Sequence, residues 1–463
     1  MSKPLRAFGQ LKPVTARCNR PEKDKTMLKN VFKILPVMLF ASLISEPAAA
    51  AVEGETAFVF NTLLFLLMGF LVMWMAAGFA MLESGMVRSK NVATICLKNI
   101  VLYSIAGITF YLIGYNLMYT VDTGGYLGSI SIWSADDTAF LSETPDFGEG
   151  DTYASKSDWF FQMVFVATAA SIVSGTLAER IKLWSFLAFV VILTAIIYPI
   201  QGSWQWGGGW LAEAGFSDFA GSTLVHSVGG WAALIGALFL GARKGRFTSD
   251  GTSTPMPGSS MALATLGTFV LWLGWFGFNG GSQLALGSAA NAIDISAIFV
   301  NTNMAAAGGV VAAMVFTQLV FGKVDLTIVL NGAIGGLVSI TAEPLTPSIS
   351  MAILIGAIGG LLIPISVMVL DKLKIDDVVG AIPAHLICGI WGTMAVPLTN
   401  SGTSFGTQLL GVVSIGAFVI VTSTIAWAVL KYTFGIRVSE EDEIVGLDKT
   451  ELGMEAYPEF TRS

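Results

Sequence analysis

The sequence predicts an all-α polytopic membrane protein with eleven transmembrane helices: an inverted 5+5 helix repeat plus a C-terminal helix. Three observations carry this prediction. The chain is 54% hydrophobic and 12% charged, with a mean hydropathy of +0.71, whereas a soluble domain carries roughly 25% charged residues. Its 51 glycines suit close helix–helix approach in lipid better than helix formation in water. Its 2 histidines both lie in apolar stretches, and each follows an aspartate by eight residues and precedes a glycine by four: Asp218, His226, Gly230 and Asp377, His385, Gly389. Cys18, Cys96 and Cys388 offer neither metal spacing nor a disulfide framework, so no cofactor is expected.

The chain opens with a polar, basic stretch, residues 1–26, and a second methionine at Met27. A basic region with Lys29 and Lys33 follows, then the apolar run 34–44, then Ala48 to Ala51. That order is a secretory signal peptide, and the run is too short to span ~30 Å of hydrocarbon. Cleavage near Ala50 or Ala51 is expected, with an uncleaved first helix as the alternative. Residues 1–50 are therefore assigned to an N-terminal extension and signal peptide, 55–433 to the transmembrane domain and 434–463 to a cytoplasmic tail.

A span needs ~20 mostly apolar residues. The candidates are 58–82, 93–118, 158–178, 182–201, 219–241, 259–279, 291–321, 326–342, 349–370, 379–397 and 407–433. The long segment 291–321 contains Asn301 and Asn303 and is read as one tilted helix. The odd loops carry Arg88, Lys90, Arg180, Lys182, Arg243, Lys244, Arg246, Lys323, Lys372 and Lys374, while the even loops carry Lys156 and a long acidic stretch from Asp122 to Asp158. Basic loops face the cytoplasm, so the N-terminus is expected outside and the C-terminus inside.

This orientation gives the histidines a geometry. The fifth helix runs inward and the tenth outward, so Asp218 and Asp377 lie at opposite faces. Eight helical residues rise ~12 Å, which brings both imidazoles near the middle of a core ~30 Å thick. Five helices separate the two patterns, which inverts the second half relative to the first, and inverted repeats with a central site are a transporter architecture. Ionisable residues inside a membrane mark pathways. Two adjacent neutral imidazoles can share an N–H···N bond and leave their outer edges for a small polar solute. Asp377 reads as a helix cap. For Asp218 two readings stand, a cap and a source of negative potential near an outer cation site.

The flanking residues narrow the solute. Gly78-Phe-Ala-Met-Leu-Glu83-Ser-Gly-Met-Val-Arg-Ser-Lys-Asn91, Asp218 to His226, Trp272-Leu-Gly-Trp-Phe-Gly-Phe-Asn-Gly-Gly-Ser282 and Ala381-Ile-Pro-Ala-His385-Leu-Ile-Cys-Gly-Ile-Trp391-Gly stand in order. Together they resemble signatures of the Amt/Rh ammonium transporter family, closer to its bacterial Amt branch. The resemblance runs from about residue 55 to the C-terminus. It implies an outer recruitment site of Trp206, Phe165 and Ser282, a phenylalanine pair Phe165 and Phe278, a pore-lining Trp275, the twin histidines His226 and His385, and a supporting Asp218. Phe161, one turn before Phe165, extends the aromatic wall. The resemblance also implies a homotrimer with one pore per subunit, residence in the inner (plasma) membrane, ammonium or ammonia as solute with methylammonium as analogue, and the PII signal protein as a candidate partner at the cytoplasmic face. The tail sequence Gly446 to Phe460 is similar to the family's cytoplasmic region, more loosely at Leu452-Gly-Met-Glu455. The run Glu440 to Glu443 reads as a solvated acidic linker.

The sequence holds no nucleophile elbow and no phosphate loop, so an enzyme is not expected. An electroneutral Rh-like ammonia channel and an ammonium sensor remain the alternatives to a transporter.

Overall fold

The computed structural model describes residues 53–148 and 152–460. The expected signal peptide and its cleavage site lie outside the described residues. Among the described residues, eleven apolar helical segments follow one another: α1 (Gly54–Met86), α2 (Ser89–Tyr119), α3 (Ser155–Thr176), α4 (Leu183–Ser203), α5 (Ser222–Leu240), α6 (Met261–Gly281), α7 (Ala289–Phe321), α8 (Leu326–Ile340), α9 (Ile349–Lys372), α10 (Ile382–Leu398) and α11 (Phe405–Thr433). Nine are long and apolar enough to cross a bilayer, and α8 and α10 are shorter. The expected all-helical, multi-span fold is present, and segment 291–321 is one helix. Its buried Asn301 donates to the Pro344 and Pro347 carbonyls at 3.0 and 2.8 Å, so a polar residue in the span leaves no donor unpaired.

Small residues let the helices touch. A Cβ on Gly356 of α9 would lie 2.0 Å from the Ala305 carbonyl of α7, so only glycine allows that approach. Large apolar side chains such as Trp74, Phe269, Leu319 and Ile425 remain exposed on the outside of the bundle, where hydrocarbon rather than water suits them.

The loops sort to two ends. At one end the first, third, fifth and ninth loops meet through charge. Glu179 pairs with Arg88 and, at 3.3 Å, with Arg243. Arg243 also reaches Asp376 at 2.9 Å, and Arg180 donates to the Asp376 carbonyl at 2.6 Å. Burial pushes the Asp376 carboxyl up, but Arg180 and Arg243 outweigh it and hold it well below the usual carboxylate range. A carboxyl with a depressed folded-state pKa contributes stability above its unfolded value, about 3.9, and loses it as pH falls further. The apparent melting temperature of the purified protein in detergent is therefore expected to hold between pH 7 and 5 as far as this group is concerned, and to fall below about pH 4. Asp376→Asn removes the carboxylate that Arg243 grips at 2.9 Å and whose charge offsets the nearby Arg180, although Arg180 keeps its bond to the backbone carbonyl, and should cost about 3–5 kcal/mol at neutral pH, with a weaker acid-dependent loss. A wild-type-like melting curve for the variant would contradict the network's role.

The acidic run corrects one expectation. Glu440–Val445 is a short helix capped by Ser439, and Glu443 within it is buried. Glu443 pairs with Arg437 at 2.7 Å and accepts from the Lys244 backbone N–H at 2.6 Å. Neighbours from the fifth loop and the start of the tail supply partners that a solvated linker would not need. Further on, the Asp448 carboxylate accepts from the Ala93 and Thr94 N–H groups at 2.9 and 2.8 Å, which caps α2 with a residue from the tail.

Candidate functional site

The site is built on two interrupted helices. Gly221 (φ 103°) and Gly380 (φ 78°) take left-handed backbone, which glycine adopts without strain. Each breaks the chain just before a half-helix. The helices therefore start at Ser222 and Ile382, slightly later than the expected 219 and 379. Both begin with a π-helical turn, Ser222–Ser227 and Ile382–Ile387, and each turn carries a histidine. Such turns recur at functional sites because the wider winding re-aims side chains.

The two aspartates hold the half-helix ends. Asp218 accepts four backbone N–H bonds, from Gly221 and Ser222 on Oδ1 at 3.0 and 2.8 Å and from Thr223 and Leu224 on Oδ2 at 2.8 and 2.9 Å. Asp377 accepts from the Gly380 and Ile382 N–H groups at 3.2 and 2.7 Å and from the Thr176 hydroxyl at 3.0 Å. Both are caps that suit the positive helix end. Asp218 is also tied to the aromatic site, because Trp206 Nε1 donates to its carbonyl at 2.9 Å.

The histidines meet. Their Nδ1 atoms lie 3.2 Å apart, so one ring donates and the other accepts. The rings stand with centroids 5.3 Å apart and planes at 25°. Both are buried, and His226 Nε2 has no hydrogen-bond partner among the described residues. Trp275 stacks on His226 at 4.9 Å, and its Nε1 donates to the Thr341 hydroxyl at 2.8 Å, which fixes the indole.

Above His226 lies Phe278, at 5.2 Å, which stacks on Phe165 at 3.9 Å. Beyond this pair opens a cavity of about 290 Å³ lined by Phe161, Phe165, Trp206 and Ser282 together with Tyr115, Asp158 and Gln162. Trp206 meets Phe165 edge-on at 6.0 Å. Ser282 Oγ donates to the Phe278 carbonyl at 2.9 Å, which leaves its oxygen able to accept. The structure thus brings all the named residues into one column, except Asp218, whose carboxylate faces its own helix end. Asp158 is the residue that sequence reasoning missed. It reads as the last acid of a loop, but it stands three residues before Phe161 and seven before Phe165, on the same helix face. Tyr115 donates to it, and Gln162 donates at 3.3 Å.

Residues 63–457 match the model of the Ammonium Transporter Family. The chain belongs to this family. An Amt2 ammonium transporter from Archaeoglobus fulgidus is 40% identical over 425 residues, 85% of this chain and 87% of the relative. An ammonium transporter from Bacillus subtilis is 33% identical over 422 residues, 87% of this chain and 98% of the relative. Among solved structures, a sensor Amt protein superposes with a TM-score of 0.79 at 35% identity, covering 86% of this chain and 99% of that one. Candida albicans Mep2 superposes with a TM-score of 0.73 at 26% identity, covering 87% and 91%. This Amt protein is a multi-pass membrane transporter, not an enzyme.

Proposed function

We propose that the column conducts ammonia derived from recruited ammonium. The observation that carries this reading is the histidine pair, 3.2 Å apart beneath a stacked phenylalanine pair. Ammonium sheds water in the outer cavity, where the faces of Trp206 and Phe165 attract a cation and the Ser282 oxygen accepts an N–H. Phe165 and Phe278 form a narrow apolar gate at which a charge is expensive. The ion therefore gives up its proton to water of the outer cavity, and ammonia passes Trp275, His226 and His385 by hydrogen bonding to the imidazole edges. Asp218 supports the site by holding the His226 half-helix and through its bond from Trp206.

The basic-loop end faces the cytoplasm by the positive-inside rule, with the tail 434–463 on that side. Residues 55–433 form the transport domain, behind a signal peptide cleaved near Ala50 or Ala51. The homotrimer, the plasma-membrane location and a contact with PII at the cytoplasmic face come from the family resemblance.

Reconstitution tests the proposal. Methylammonium flux into proteoliposomes should exceed that of empty liposomes by about tenfold or more, with a current on ammonium addition if the proton follows. Flux without current would favour the electroneutral Rh-like channel. Absence of flux would favour a sensing role, the second reading, which rests on the likeness to a sensor Amt protein.

A further inference from the structure

The passage does not end at the histidines. A small cavity beneath the pair is lined by His385, Phe79, Ile172, Val379, Asn331 and Glu83. Glu83 is 1% exposed and sits near the end of α1. Its Oε2 accepts from the Ser174 hydroxyl at 2.7 Å and from Asn99 Nδ2 at 3.2 Å. Its Oε1 accepts no hydrogen bond from the described residues. On the far side of Ser174, Lys98 Nζ donates to the Ser174 carbonyl at 2.9 Å, and Lys98 is likewise 1% exposed. A carboxylate and an ammonium group thus meet at one serine inside the membrane.

A buried charged pair held only for structure spends its acceptors on the protein, because an unmade bond to a charged group is costly. Oε2 does so. Oε1 does not, and Glu83 borders the cavity that also contains His385. We propose that Glu83 is an inner binding station for the N–H groups of ammonia or ammonium leaving the histidine pair, with Lys98 offsetting its charge. This rests on the transport reading above. A bare carboxylate in this setting would hold a cation too tightly to release it, whereas conduction needs binding that is favourable yet weak enough to leave. Lys98, bridged through Ser174, supplies that balance. Phe186 lies 4.8 Å beneath the Lys98 ammonium and helps to keep it in place.

Two variants test this in proteoliposomes beside the wild type. Glu83→Gln keeps the shape and removes the charge. The double variant Glu83→Gln/Lys98→Met removes both charges, so no uncompensated ion is left to unfold the protein. The double variant is expected to melt near the wild type yet carry methylammonium at least about tenfold more slowly, and Glu83→Gln should be similarly slow. Wild-type flux in the double variant would overturn the proposal, because the pair would then be structural only. Wild-type flux in Glu83→Gln would overturn it too. Absence of flux from the wild type itself would overturn the transport reading and this inference together, which sets that failure apart from one confined to the variants.

Discussion

Replacing His226 with aspartate is expected to make the pore admit potassium more readily. In the native column the groups beneath the phenylalanine pair are neutral: two imidazoles that share one hydrogen bond at 3.2 Å and the indole of Trp275 stacked on the first ring. In the mechanism proposed above, ammonium passes this stretch by leaving its proton behind. Potassium has no proton to lose, and it meets the full cost of a charge in hydrocarbon. His226→Asp puts a fixed carboxylate at that depth. It stabilises any monovalent cation by Coulomb attraction in a low dielectric, so the proton no longer decides who passes. The ammonium-to-potassium preference in a current measurement on reconstituted membranes should fall by about tenfold or more. His385→Asp should act in the same direction. Unchanged discrimination in both variants would mean that the imidazoles are not the selective element, and the Phe165–Phe278 gate would take that role.

Why so much was legible lies in the length scale of each signal. A span is an average over ~20 residues, so the helix bounds came close to the runs of apolar residues, even across Asn301. The histidine pair was readable because two rare residues shared one spacing. The features that escaped depend on single partners distant in sequence. Glu83 stood inside a motif without a reason for its charge, and the reason is Ser174 and Lys98, both on other helices. Glu443 belonged to a run of acids until Arg437 and the Lys244 N–H enclosed it. Asp158 was counted with its loop, although its spacing to Phe161 and Phe165 was available. The start of each half-helix was set a few residues early, because Gly221 and Gly380 break the backbone inside runs that read as continuous.

The repeated glycine has a sharper consequence than its place in a pattern suggested. A Cβ on Gly230 would lie 2.6 Å from Leu386 Cβ and 2.7 Å from the Leu386 nitrogen, and one on Gly389 would lie 2.4 Å from both the Ser222 carbonyl oxygen and Ser227 Oγ. Leu386 adjoins His385, and Ser222 and Ser227 end the turn that holds His226. Each half-helix therefore uses its glycine to seat the histidine turn of the other. Gly389→Ala demands a retreat of about 1 Å against backbone, which packed interiors do not yield without strain. The cost is about 1–3 kcal/mol in stability. The larger effect is on the Nδ1–Nδ1 contact, which cannot survive that separation at hydrogen-bond length. Methylammonium flux should fall about tenfold or more, and Gly230→Ala should do likewise. Because both substitutions push apart the same pair of turns, the double variant should lose less than the sum of the two, a coupling of about 0.5–3 kcal/mol. Gly107→Ala is the control, since its Cβ would meet Met163 Sδ at an ordinary 3.7 Å, and flux there should match the wild type. Full flux in Gly389→Ala and Gly230→Ala would show that the histidines tolerate separation, and would move the working part of the pore up to the phenylalanine gate.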